Sequence, residues 1–233
     1  EGDVSPEEAA GELGKYYAYY YEAYSAALGG LVGSYAIFKD GQWVPQYGLK
    51  TFSPIAAGYG YSHCDDFGVG RSFGFKRKHL GNDLMGGLGT PIVAVEGGIV
   101  EAMGWNRYGG WRVGIRSFDG KRYYYYAHLQ KDRPFAPGLE IGDQVDAGQL
   151  IGFMGRSGYS DKENVNNIEV VHLHFGLELI FDEGQKECNS EIWIDVYQLV
   201  RLLSAHRSSY QKTDRGWERV YPYKDLDWAE FPI

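Results

Sequence analysis

Two histidines stand one residue apart in Val171-His172-Leu173-His174-Phe175-Gly176-Leu177-Glu178-Leu179. The odd positions are all apolar, and the even positions carry His, His, Gly and Glu. A period of two predicts a strand that buries its odd face and turns both imidazoles to the other. Their Cα atoms then lie roughly 7 Å apart, so one ring can ligate a metal while its neighbour addresses a water on that metal. A second pair, His79 and Asp83, combines an imidazole with a carboxylate, both metal donors. A spacing of four would suit one helix face, but Gly81 and Gly86-Gly87 disfavour a helix. A loop running into a strand is predicted instead. His128 closes the aromatic run Tyr123-Tyr124-Tyr125-Tyr126-Ala127-His128-Leu129 and shares its parity with Tyr124 and Tyr126. Taken singly, an HxxxD string or a histidine at a strand end usually means polar packing. The conjunction carries the weight.

The elements that must position these residues are predominantly strands. From Thr90 onward short apolar runs alternate with glycine turns: Pro91 to Val95, Ile99 to Met103, and Trp111 to Ser117. The Asp119-Gly120 turn leads into Arg122 to Leu129, and short segments follow at Gln144-Val145 and Leu150 to Met154. A last strand is predicted over Glu169 to Ile180. Trp193 to Ser204 reads as a C-terminal helix with Asp195 as its N-cap. At the other end, Ser5 to Leu28 reads as a helix opened by a capping box of Ser5 and Glu8, with Pro6 in the first turn and Gly29-Gly30 as its stop. Leu13, Tyr16, Tyr17, Tyr20, Tyr21 and Tyr24 form a stripe expected to dock on the main body. A hairpin is predicted about Lys39-Asp40-Gly41, and residues 53 to 75, rich in Gly, Ser and Asp, are expected to be irregular.

In this order, "RKHLGNDLMGGLGTPIVAVEGGIV", "YYYYAHL", "GLEIGDQVDAGQLIGFMGRSG" and "VHLHFGLEL" resemble the lysostaphin-type (LytM-like) zinc endopeptidases of bacterial cell walls. The resemblance runs from about Lys76 to Leu179. Together with the elements read above, the expected fold is mainly β (α+β): an antiparallel β-sheet peptidase core over residues 56–192, an N-terminal helix and hairpin appendage over 1–55, and a C-terminal helix and tail packed on the core over 193–233. The resemblance implies Zn2+ held by His79, Asp83 and His174, with His128 and His172 serving catalysis. Two histidines and one carboxylate leave a fourth position for water, the arrangement of catalytic rather than structural zinc. His172 is expected to act as general base and His128 as the oxyanion donor, with exchange or sharing of the roles left open. No HExxH string supplies the glutamate of zincin-type proteases. The implied substrates are peptidoglycan stem or crosslink peptides, and the implied location is extracytoplasmic. The stretch Tyr159 to Val170 is expected to form a loop near the cleft.

Bulk composition narrows the alternatives. A formal net charge of −8 with no polybasic run gives no support to a nucleic-acid partner. No apolar run reaches eighteen residues, so no membrane span is predicted, while an anchor outside this chain is left open. The chain begins at Glu1 rather than Met, which also leaves a removed signal peptide open. Oligomeric state is not legible. Cys64 and Cys188 are too far apart for a zinc knuckle; a disulfide between them is expected, against the alternative of two free thiols. His63, Cys64, Asp65 and Asp66 suggest a metal cluster, but adjacent side chains diverge and a plain loop is preferred, with Cys64 as a remote candidate to cap the metal. Three rivals are weighed. A non-catalytic scaffold of the same fold would typically lose ligands that are all present here, while a latent form is left open. A lipoyl-type carrier hairpin needs a lysine where Asp146-Ala147-Gly148 stands. A tyrosine-stacking wall-binding module would not need the histidines.

Overall fold

Ser5 and Glu8 cap each other as expected: the Ser5 N–H donates to the Glu8 carboxylate at 2.9 Å and the Glu8 N–H to Ser5 Oγ at 3.2 Å. The computed structural model describes residues 5, 8, 10, 11, 14–73, 75–187 and 190–226. Gly14 has a φ of 62°, outside the right-handed helical region, and a single 3-10 turn, Gly14–Tyr16, precedes α1 (Tyr17–Leu28). The expected docking stripe is corrected by the structure. Tyr16, Tyr19, Tyr20, Tyr21 and Tyr24 are each more than half exposed, and Ala26 is the buried residue of α1. The helix is held near its C-terminal end instead, where the Arg122 guanidinium donates to the Ala26 carbonyl at 2.7 Å.

β1 (Val32–Lys39) and β2 (Gln42–Leu49) form the predicted hairpin, with Asp40 and Gly41 at φ 52° and 81°. Two consecutive positive values are what a tight type I′ turn requires. Next come β3 (Tyr61–His63), β4 (Gly70–Phe73), β5 (Phe75–Lys78) and β6 (Asn82–Gly86). The stretch expected to be irregular therefore contains β3, paired with β6, and one arm of the β4–β5 hairpin. Strands of three or four residues are too short to show a period.

The remaining strands are β7 (Pro91–Val93), β8 (Gly98–Asn106), β9 (Gly110–Ser117), β10 (Arg122–Ala127), β11 (Gln144–Val145), β12 (Leu150–Phe153), β13 (His172–Leu179) and β14 (Ile192–Ile194). One antiparallel sheet has the order β11-β8-β9-β10-β13-β6-β3, with β14 also on β13. The odd side chains of β13 behave as their alternation predicts: Leu173, Phe175 and Leu177 are fully buried in a core with Val113, Ile115, Tyr124 and Tyr126. The strand starts at His172 rather than Glu169.

The C-terminal helix also starts later than expected. Trp193 and Ile194 pair with Glu178 and Leu177 as sheet, so α2 spans Tyr197–Leu203. Asp195 still serves its start, accepting the Tyr197 N–H at 2.9 Å. β15 (Tyr210–Thr213) and β16 (Gly216–Arg219) make a small hairpin, and β17 (Tyr223–Asp225) pairs with β1. Among the described residues the fold is thus mainly antiparallel β with helix α1 towards the N-terminus and α2 towards the C-terminus, as predicted.

Cys64 carries a free thiol, which corrects the expected bridge; Cys188 lies outside the described residues. The Cys64 backbone continues the β3–β6 edge, its N–H donating to the Asp83 carbonyl at 3.0 Å and its carbonyl accepting from Asn82 Nδ2 at 3.2 Å. Among the described residues, no helix is long and apolar enough to cross a membrane.

Candidate active site

Sheet register brings the separated motifs together. His174 lies opposite Asp83 on one side and Ala127 on the other, so β13 sits between the strand carrying the carboxylate and the strand leading to His128. His79 precedes β6 in a short loop, the loop-into-strand arrangement expected for the HxxxD string. Gly81 is what lets that loop close on β13: a Cβ there would stand 2.5 Å from the Phe175 carbonyl oxygen and 2.8 Å from the His174 ring.

Among the described residues, His79, Asp83 and His174 form the group of metal-capable side chains whose ligand atoms lie within 4.8 Å of one another. His79 Nε2 is 2.7 Å from His174 Nδ1 and 3.1 Å from Asp83 Oδ1, and His174 Nδ1 is 3.3 Å from the same oxygen. All three are buried or nearly so. Burial would raise the Asp83 carboxyl, but hydrogen bonds from His174 and His79 outweigh it and hold the group far below the ordinary carboxylate range. Burial lowers His174, with the Asp83 contact partly offsetting it. A carboxylate beside two imidazoles is a donor set that zinc takes, so these residues fit that ion.

The other two histidines are oriented by backbone carbonyls. His172 Nδ1 donates to the Val170 carbonyl and His128 Nδ1 to the Ser157 carbonyl, each at 2.9 Å. Each ring therefore keeps an unprotonated Nε2 in its neutral form. The rings lie 4.7 Å apart, and His172 Nε2 is 3.8 Å from Asp83 Oδ1. Burial, reinforced by His172 and His174, pushes His128 well below the usual histidine value. His128 also has a φ of 62°, rare for a residue with a side chain. The strain is held by two bonds: its N–H donates to Gly109 and its carbonyl accepts from Gly155.

Sequence reasoning missed two supporting residues. Asp66, assigned to a plain loop, accepts the His79 Nδ1–H on its carbonyl at 3.0 Å and the Asp83 N–H on Oδ1 at 3.1 Å. Arg71 donates to Asp66 Oδ2 at 2.6 Å and to Asp83 Oδ2 at 3.0 Å. The separation of thirteen positions between Asp66 and His79 gave no signal; the β4–β5 hairpin between them brings the ends together. Cys64 is not part of the ligand group. The five histidine and aspartate side chains line a cavity of about 300 Å3 whose other walls include Arg77, Tyr108, Tyr125 and Tyr159. Tyr159 confirms that the loop after Gly158 reaches the cleft.

The model of peptidase family M23 matches residues 77–187. A solved structure from Ruminococcus gnavus, described as a LytM glycyl-glycine endopeptidase, shares 31% identity over 89% of this chain and 76% of its own, with a TM-score of 0.61. The chain belongs to peptidase family M23. Among curated M23 relatives, the L-Ala–D-Glu endopeptidase of Bacillus subtilis is 37% identical over 68% of this chain, and lysostaphin of Staphylococcus simulans is 33% identical over 58%. The chain spans less than half the length of these two relatives, 45% and 22% respectively. The M23-matched segment holds all five candidate residues, whereas Asp66 and Arg71 precede it.

Proposed function

We propose that this chain is a zinc-dependent endopeptidase that hydrolyses peptide bonds in bacterial cell-wall peptidoglycan and works outside the cytoplasm. The observation that carries this reading is the convergence of His79, Asp83 and His174 with two further histidines, each presenting a free Nε2, in one cleft. The names of the M23 relatives supply the substrate class.

His79, Asp83 and His174 would hold the zinc, which when bound supplies the Lewis acidity that makes a water nucleophilic at neutral pH. The chain's own residues manage the protons. His172 Nε2 takes the proton of the attacking water, and its Nδ1–H bond to Val170 fixes the ring for that transfer. His128, neutral at the outset and with Nδ1–H committed to Ser157, can donate from Nε2 only once it has gained a proton. Stabilisation of the oxygen charge and delivery of a proton to the leaving amine therefore belong to the His128–His172 pair acting together. Tyr125, packed edge-on to His174 with ring centroids 5.7 Å apart, helps keep bulk water from the ring.

Clearing of a purified peptidoglycan suspension tests this reading. Clearing should stop with a chelator and return with added zinc; walls left intact by the zinc-loaded chain would refute it.

A further inference from the structure

The cleft contains two cations that the proposed chemistry does not use, exposed Lys78 at its rim and Arg77 within it. Arg77, on β5, lines the same cavity as the five candidate residues. Its neighbour Arg71 is committed to Asp66 and Asp83. Arg107, nearby, pairs with Asp161. Arg77 has no carboxylate partner among the described residues. One nitrogen, Nη2, donates to the Tyr159 hydroxyl at 3.2 Å; the other, Nη1, is shielded from solvent and has no acceptor. The guanidinium carbon lies 4.8 Å from the Tyr108 ring centre and 5.4 Å from that of Tyr159. Phe73 stacks on the outer side of Tyr159 at 5.1 Å.

A donor hidden from water without an acceptor is costly, and two aromatic rings limit how far this one can turn. A guanidinium held in this way is suited to a charge-assisted bond with a carboxylate. The reaction centre is adjacent, since the Tyr159 ring packs edge-on to His128 at 5.9 Å. A chain of net charge −8 also needs a local cation to accept an anionic group at all.

We propose that Arg77 binds a free carboxylate on the substrate next to the scissile bond, so that the site selects acidic stem peptides over neutral glycine bridges. This rests on the proposed peptidase function and specifies its substrate class.

Two synthetic peptides test it: Ala-γ-D-Glu-Lys with the D-Glu α-carboxylate free, and the same peptide with that group amidated. Affinity is read by calorimetry on the full zinc-loaded chain carrying His172→Ala, and kcat/KM on the chain with His172 intact. The free carboxylate should be preferred by about 10-fold or more in both, as for a lost charge-assisted pair. Arg77→Gln should erase the preference while binding the amidated peptide as before, and Arg77→Lys should retain part of it. Equal affinity for both peptides, equal loss on both in Arg77→Gln, or no binding of either would overturn the proposal. Preferential binding without turnover would leave it standing and count against the peptidase reading alone.

Discussion

The carbonyl of Asp66 accepts the Nδ1–H of His79 at 3.0 Å while the Asp66 carboxylate receives the Asp83 N–H at 3.1 Å. One residue outside the matched segment thus orients two of the three candidate ligands. Outer partners of this kind raise metal affinity by fixing ring orientation. Asp66→Ala should weaken zinc binding about 10-fold, measured by competition with a chromophoric chelator. Unchanged affinity would make Asp66 a purely structural residue of the β3–β4 connection.

Removing a ligand should be more severe. His174→Ala leaves one imidazole and one carboxylate, too few to hold the ion against water, and zinc content by elemental analysis should fall from one per chain to near zero. Full retention would place the metal elsewhere.

Gly81→Ala should damage the site without touching a ligand. Its Cβ would meet the Phe175 carbonyl oxygen at 2.5 Å and the His174 ring at 2.8 Å, and the backbone contact cannot yield as a flexible side chain could. Loss of both zinc affinity and thermal stability is expected, by calorimetry with and without metal.

The strained backbone of His128 separates function from stability. His128→Gly removes the side chain and also relieves a positive φ, so the variant should lose about 10²-fold or more in turnover. Its thermal stability should be equal to or above that of the unmodified chain. A large fall in stability would show that the imidazole, rather than its chemistry, is what the fold requires.

Away from the site, Arg122 is fully buried and forms a two-point pair with Glu96, at 2.7 and 3.0 Å. Glu96 also accepts the Tyr124 hydroxyl at 2.6 Å. Arg122→Met should cost about 3–5 kcal/mol in denaturant unfolding, because Glu96 is left buried and unpaired. At the exposed side of this network Asp119 accepts from Arg122 at 2.7 Å. Burial would raise its carboxyl, but Arg122 foremost, with Ser117 and the Lys121 N–H, holds it below its ordinary value. A depressed folded-state pKa contributes stability above the unfolded-state value that is lost as pH falls through the folded one. Asp119→Asn should therefore destabilise modestly at neutral pH, with the difference fading below about pH 4.

The strands were legible in the sequence because their signals are local, whereas the five candidate residues were singled out only by the resemblance of four motifs taken together. The alternation through Leu173, Phe175 and Leu177 fixes which face of β13 carries the imidazoles, and Gly81 argues against a helix at His79. What was not legible depends on contacts between distant segments. The tyrosines of α1 have helical spacing, yet that pattern cannot reveal that the helix is tethered through Ala26 and Arg122. Trp193 was assigned to a helix because nothing in its neighbours shows that β13 has an open edge for it to join. Asp66 and Arg71 reach the site through a hairpin whose arms are four residues each, below the length at which periodicity can be read.

Mass spectrometry of the peptides released from purified peptidoglycan tests the central claim most directly. Zinc-loaded protein should generate muropeptides with new amino and carboxyl termini at one defined peptide bond, and His172→Ala, still carrying its zinc, should release about 10²-fold less. Release of intact stems and crosslinks, or the same yield from His172→Ala, would contradict the account.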